Sequence, residues 1–446
     1  MMSATAGLLL LTVVVRIGII VTAGDRLHSD PDAYVRLATM LADGKGFAAA
    51  DGVQPTAFRP VLYPLLLAGP LLLGIPAATA VAFWNLLAGP GLVFAAIQLA
   101  RELGLNRRGT LIAGFAAAVD PLMLRYTTEP MTENVCAAIF TAALVCLLRI
   151  IRQNGLANSP SNVGTAAVGG VLLGIGALCR PVILVSCAVL TLTMTVLQWK
   201  SCRDQRRVAR LSVARMWIPA IVAALTVAPW IIRNAVQFAA FIPATTHGGY
   251  TLLLGNNSEF YERVVSGKQA AWDNDSLTAW QHDLRRQLSE AGLEQADEPA
   301  VDRWMYERAG TEMKAQPTMA GRAVALRWRR FWALTPTASG AALPRYVFYA
   351  VGTWYGLLGI GLLASLRQCL RNPNVLLLWM SVMSFLLVHS FYWTNTRMRA
   401  PLTGVLVVLA VSGWTSLTWR GREREREPHE HTGHRAADGL NEQYPA

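Results

Sequence analysis

Apolar residues along this chain come in long blocks separated by short polar or charged connections. The blocks fall near 7–23, 78–100, 109–124, 132–151, 164–179, 181–199, 216–232, 347–366, 374–391 and 400–419. Most approach the ~17–25 residues that a helix needs to cross a bilayer, so the pattern predicts ten spanning helices. An eleventh apolar stretch, 60–76, carries Pro60, Pro64, Pro70 and Pro76. Proline removes a backbone donor and breaks helices, so this stretch is expected to re-enter or lie at the interface. The pattern divides the chain into four parts: an N-terminal membrane module, 1–232, with a first polar loop at 24–77; a large loop, 233–346; C-terminal membrane helices, 347–419; and a tail, 420–446, expected to be disordered.

Composition agrees. Of 446 residues, 53% are hydrophobic and 15% charged, against about 25% charged in soluble proteins. The net charge of +12 could signal nucleic-acid binding, but its placement excludes that. Arg101, Arg107, Arg108, Arg149, Arg152, Arg367, Arg371 and the run Lys200 to Arg215 all flank apolar blocks. With ten spans they share one side, as the positive-inside rule requires of the cytoplasmic face. Six cysteines lie in or beside apolar blocks, so no disulfide is expected. Arg16, inside the first block, argues for an uncleaved anchor. The three histidines of the tail, His429, His431 and His434, read as solvated residues.

The opposite face gathers the candidate chemistry. Residues 25–36 read DRLHSDPDAYVR. Asp30 and Asp32 precede a stretch with helical apolar spacing (Tyr34, Leu37, Met40, Leu41) that ends at Gly44 and Gly46. Here a helix cap and a catalytic acid are equally good readings. Arg59 opens the proline-broken segment, where it can hold a phosphate at the membrane surface, and Tyr63 follows. The turn TTEPMTEN supplies Glu129 and Glu133, and the deeper Glu133 is the better functional candidate. Arg180, Arg397 and Arg399 face outward against the positive-inside bias. Trp272, Trp280, Trp304, Trp328 and Trp332 lie in the large loop, where RWRRFW (327–332) reads as an interfacial anchor and His247-Gly248-Gly249 as a turn. The chain has no GxxxxGK[ST], HExxH, GxSxG or paired CxxC, so ATP-driven transport, zinc hydrolysis and serine-nucleophile chemistry have no support.

These segments resemble the GT-C membrane glycosyltransferases that use lipid-linked sugar donors, in the branch of the lipid A aminoarabinose transferases and protein O-mannosyltransferases. DPDAY followed by LATMLADGKG resembles the D-x-x-x-Y start of the first outer loop. FRPVLYPLLLA resembles a [KR]PPLYPLLLA element, with Val61 at the second proline. MTEN, GIGALCRP (Cys179 where Thr is usual), APWIIRN with FIPATTHGGYTLLLGNN, and RMRAPL (Met398 where Tyr is usual) follow in the family's order. The resemblance implies an all-α GT-C fold in a bacterial inner membrane, its active site facing outward. It implies an inverting transfer from a polyprenyl-phosphate sugar to a glycan, lipid or protein hydroxyl. Asp30 would be the base, with Asp32 as substitute, and Glu133 would orient the acceptor. Arg59, Arg180 and Arg397 or Arg399 would bind the phosphate. Tyr34, Tyr63, Arg233, Asn234, Asn256 and Asn257 would border the sugar pocket. Some members of the family require a divalent metal and others do not, and Asp30, Asp32 and Glu133 could together form a carboxylate site for such an ion. A lipid-carrier transporter or flippase, with Arg16 marking its polar path, is the alternative; a non-catalytic lipid-sugar receptor is a third.

Overall fold

A computed structural model describes residues 2–49, 52–154, 161–201, 213–269, 271–293, 297–335 and 344–430. Among the described residues the chain is helical, and its only extended pairing is an isolated bridge between Ala48 and Pro55. The strongest basic run expected from sequence, Arg203, Arg206, Arg207 and Arg210, lies outside the described residues.

Every expected block is helical. They are α1 (Met2–Ala23), α4 (Ala77–Glu102), α5 and α6 (Arg107–Ala118 and Pro121–Arg125), α7 (Glu133–Asn154), α8 (Ser161–Cys179), α9 (Val182–Ser201), α10 (Ile218–Phe238), α15 (Arg345–Leu366), α16 (Pro373–His389) and α17 (Thr403–Glu430). Seven helices are long and apolar enough to cross a membrane, while α8 and α16 are shorter apolar helices. The chain is a multi-pass integral membrane protein. The helix α17 continues to Glu430, past the expected start of the tail at 420, and 431–446 lie outside the described residues.

The expected single span over 109–124 is corrected to two helices. The residue before a proline disfavours helical backbone, and Pro121 forces the break. Asp120 caps the new start, its Oδ1 accepting from Leu122 and Met123 N–H at 3.1 Å each. The proline-broken segment forms α3 (Leu62–Leu72). Its eleven residues rise only about 16 Å, too short to cross. It packs against the amphipathic α2 (Tyr34–Ala42), which ends through Gly44 and Gly46 at φ of 74° and 73°. That left-handed backbone suits glycine.

Close helix contacts hold the bundle, as expected where lipid removes the hydrophobic drive between helices. A Cβ on Gly413 of α17 would lie 1.9 Å from the carbonyl oxygen of Gly361 on α15. At one end of the bundle Glu102 pairs with Arg149 (2.6 Å) and Arg152 (3.3 Å).

The large loop is a helical layer: α11 (Gly248–Leu254), α12 (Asn274–Glu290), α13 (Glu298–Ala315) and α14 (Pro317–Phe331). Trp280, Leu252, Leu284 and Met305 fill one small core, with Trp272 against it. These tryptophans are used in packing. Within RWRRFW, Trp328 stays 48% exposed while Arg327 turns inward. Arg327 is 1% exposed and fastens the loop to the end of α16. It donates to the carbonyls of Gly255 and Ser390 and to Asn256 Oδ1.

Candidate functional site

At the end of the bundle opposite Glu102, five connections meet: the segment before α2, the start of α3, the turn into α7, the turn after α8, and the 3-10 turn Thr396–Leu402 that leads into α17. Each contributes charge. Arg59 Nη2 lies 2.9 Å from Asp32 Oδ1, and its Nε donates to the Asp32 carbonyl at 3.0 Å. Arg397 Nη2 lies 2.7 Å from Asp32 Oδ2, while its Nε pairs with Glu133 Oε1. Arg180 Nη2 reaches the same Glu133 oxygen at 2.8 Å, and its Nε donates to Thr132 Oγ1 at 3.0 Å. The result is one chain, Arg59–Asp32–Arg397–Glu133–Arg180: three cations and two acids, joined from residues up to 365 positions apart.

The sequence explains how each group gets there. Asp30 caps α2, its two oxygens accepting from Val35 N–H (3.1 Å) and Arg36 N–H (2.9 Å). Three residues on, Ala33 adopts left-handed backbone (φ 61°, ψ 23°), which costs a non-glycine residue about 1–2 kcal/mol. This tight turn separates the two acids: Asp30 faces the helix end and Asp32 faces the guanidinium groups. Glu133 is the first residue of α7 and is fully buried, and its Oε2 has no partner among the described residues. Arg59 and Arg397 keep 18% of their side-chain surface, and Arg180 keeps 13%.

Electrostatics follow from the packing. Burial pushes the Asp32 carboxyl up, but Arg397 and Arg59 outweigh it and hold it below its ordinary value. Burial, reinforced by Asp32, pushes the Tyr34 phenol up to about 12. Aromatic rings floor the cluster. Tyr34 and Tyr63 meet edge to face at 5.4 Å, Arg59 lies over Phe58 (5.0 Å), and Arg397 lies over Tyr126 (5.8 Å). Such contacts favour a cation over a ring face. The Tyr63 hydroxyl is buried with no hydrogen-bond partner among the described residues.

Not every expected site residue joins. Arg399 turns the other way: it donates to the Phe331 carbonyl (3.0 Å), and its guanidinium lies 4.2 Å from the Tyr355 ring. It borders a separate apolar cavity of about 420 Å³, with Asp120, Tyr355 and Trp332. Arg233 and Asn234 are tie points. Arg233 donates to the carbonyls of Thr56 (2.8 Å) and Phe47 (2.9 Å), and Asn234 donates to Ile242 (3.1 Å). Asn256 and Asn257 spend their amides on carbonyls of the large loop and Phe391. Asp30, Asp32 and Glu133 do not close around a cation site, because Arg397 bridges the latter two. Among the described residues, no three His, Cys, Asp or Glu gather as metal ligands.

Three contributors went unread in the sequence. Met131 Sδ accepts from Arg397 Nη2 at 2.9 Å. His247, read as a turn, packs on Phe58 (ring centroids 4.2 Å apart) and stacks on Tyr250. Burial, then Arg59, lowers its pKa to about 3, and its Nδ1 is unpartnered. Glu298 of α13 clasps the first loop, accepting from Ala57 N–H and Thr246 Oγ1 at 2.8 Å each. The histidine beside two glycines carried a signal; Glu298, in a charged loop, carried none.

No protein-family model matches the sequence, and no curated protein matches it. Solved structures do. The oligosaccharyltransferase of Archaeoglobus fulgidus in its apo form superposes with a TM-score of 0.58 at 16% identity, over 96% of this chain and 52% of that one. The same archaeon's oligosaccharyltransferase AglB, in complex with an inhibitory peptide and a dolichol-phosphate, gives 0.56 at 13% identity, over 99% and 52%. ArnT from Cupriavidus metallidurans, bound to undecaprenyl phosphate, overlaps less closely: 0.42 at 13% identity, over 92% and 79%. The chain shares its fold with the Archaeoglobus fulgidus oligosaccharyltransferase and spans about half the length of that protein.

Proposed function

We propose that this protein is a GT-C glycosyltransferase that moves a sugar from a polyprenyl-phosphate carrier to an acceptor hydroxyl on the outward face of the membrane. The observation that carries this is the charge chain at one end of the bundle, in which Arg397 joins Asp32 to Glu133. A phosphate is the ligand this arrangement suits. Guanidinium groups bind phosphate in bidentate fashion, and Arg59 and Arg397 now hold a carboxylate that a phosphate can replace. The basic residues Arg149 and Arg152 lie at the opposite end, which the positive-inside rule makes cytoplasmic. The site then faces outward, where a sugar must arrive already attached to a lipid. AglB, which shares the fold, was solved with a dolichol-phosphate.

The reaction we propose is an inverting displacement. The acceptor oxygen attacks the anomeric carbon, the bond from that carbon to the phosphate oxygen breaks, and polyprenyl phosphate leaves. The acceptor proton passes to a carboxylate. Asp32 suits that role better than Asp30, because Asp30 is committed to the α2 cap while Asp32 is released when phosphate takes Arg59 and Arg397. Losing those two cations raises its basicity at the moment a base is needed. Arg180 and Arg397 hold Glu133, which faces the acceptor, and the arginines offset charge growing on the leaving phosphate. A transporter would need Arg16 on an open polar path, whereas its side chain is enclosed.

The test is transfer in proteoliposomes from a polyprenyl-phosphate sugar, read as release of polyprenyl phosphate. Wild-type protein is expected to turn over and Asp32→Asn to lose activity while retaining donor binding. Full activity in Asp32→Asn would refute the assignment of the base.

A further inference from the structure

Arg16 lies within the first spanning helix and is completely buried. A cation is costly to hold at membrane depth, and an apolar residue would suit α1 better. What the arginine gains is contact with one segment. Its Nη1 donates to the Met123 carbonyl (3.2 Å), Thr127 Oγ1 (2.5 Å) and Asn134 Oδ1 (3.3 Å). All three acceptors belong to the stretch 123–134, which delivers Thr132 and Glu133 to the charge chain. From α4, the buried Asn85 donates to the carbonyls of Thr127 and Glu129, both at 3.1 Å. Gly89 of α4 makes room: a Cβ there would lie 2.0 Å from Arg16 Nε. Two spanning helices therefore grip the underside of the turn whose far end is Glu133.

We infer that Arg16 is a positioning residue for Glu133, acting through the 123–134 turn, with Asn85 as its partner in that grip. The inference rests on the transferase reading only for its kinetic consequence. Asn134 is next in sequence to Glu133, so a shift of the turn moves the Glu133 carboxylate off Arg180 and Arg397. A misplacement of about 1 Å can cost about 100-fold in rate.

The experiment uses Arg16→Met, which keeps an unbranched side chain of similar reach but has no N–H to donate to Met123, Thr127 or Asn134. The first readout is amide hydrogen exchange in nanodiscs, independent of activity. Exchange over 123–134 is expected to rise several-fold, with α8 and α10 unchanged. Unaltered protection of the turn, or a uniform rise across the bundle, would overturn the inference. The second readout is polyprenyl-phosphate sugar turnover. The expectation is a kcat loss of about 10- to 100-fold, donor KM within about two-fold, and no further loss when the change is added to Glu133→Gln, since coupled residues are non-additive. Full additivity there, or an unchanged kcat, would overturn the link to Glu133. If wild-type protein transfers no sugar yet the exchange difference is found, the proposed function falls while Arg16's hold on the turn stands.

Discussion

Two sets of buried arginines sit on the same side of this molecule and differ in what they hold. Arg327 donates to backbone carbonyls and to an asparagine oxygen. Those acceptors are parts of the fold and cannot leave without unfolding it. Arg59, Arg180 and Arg397 donate to carboxylates. A carboxylate on a guanidinium can be exchanged for a phosphate, because each presents a pair of oxygens that accept two parallel N–H bonds. The first set is a rivet and the second is a socket already filled by its own counter-charges. Arg327 is 1% exposed, whereas the other three keep 13–18% of their side-chain surface, and the chemistry of the acceptor differs with it.

The largest expected effect breaks the comparison if it fails. Asp32→Asn removes the carboxylate that both Arg59 and Arg397 hold, and general-base loss costs about 100- to 10,000-fold. Asp30→Asn, which weakens a cap worth about 1 kcal/mol, is expected to lose less than about ten-fold. Initial rates in proteoliposomes check both, and the reverse order would return the base to Asp30. Next in size is Arg327→Met. Stranding two carbonyls costs about 1–3 kcal/mol each, so the melting temperature is expected to fall by several degrees while donor affinity of the folded protein stays within about two-fold.

The smallest effect concerns His247. Its pKa, lowered to about 3 by burial and Arg59, means that between about pH 3 and the ordinary value near 6.5 the unfolded chain binds a proton that the folded one refuses. Stability then rises with pH through this window and is lost on acidification below about 6.5, by at most about 2 kcal/mol at pH 5. Thermal melts at pH 7 and pH 5 are expected to differ less in His247→Phe than in wild type; equal slopes would show that another group carries the dependence.

Much of this fold was legible because hydropathy needs no partner. Ten apolar blocks gave ten helical regions, and the four prolines in 60–76 announced a segment too short to cross. Where one local signal was hidden inside another, the reading failed: Asp120-Pro121 is a strong start-of-helix pair, but apolar neighbours masked it. The site was legible as a list and not as a geometry. Spacing to Tyr34 favoured Asp30, yet the left-handed Ala33 turns Asp32 inward. Arg397 and Arg399 were indistinguishable in RMRAPL, but on a 3-10 turn, at three residues per turn, positions two apart point to different sides. One meets Asp32 and the other Tyr355. Orientation of that kind depends on a few degrees of backbone and on residues hundreds of positions away.

The central claim is that the Arg59–Asp32–Arg397 cluster is a phosphate socket. The most direct measurement is the affinity of undecaprenyl phosphate for detergent-purified wild type, for Arg59→Gln with Arg397→Gln, and for Arg327→Met, by native mass spectrometry titration. The account predicts a loss of at least about ten-fold, or 1.4 kcal/mol, in the double variant and none in Arg327→Met. Equal affinity in wild type and the double variant would contradict it.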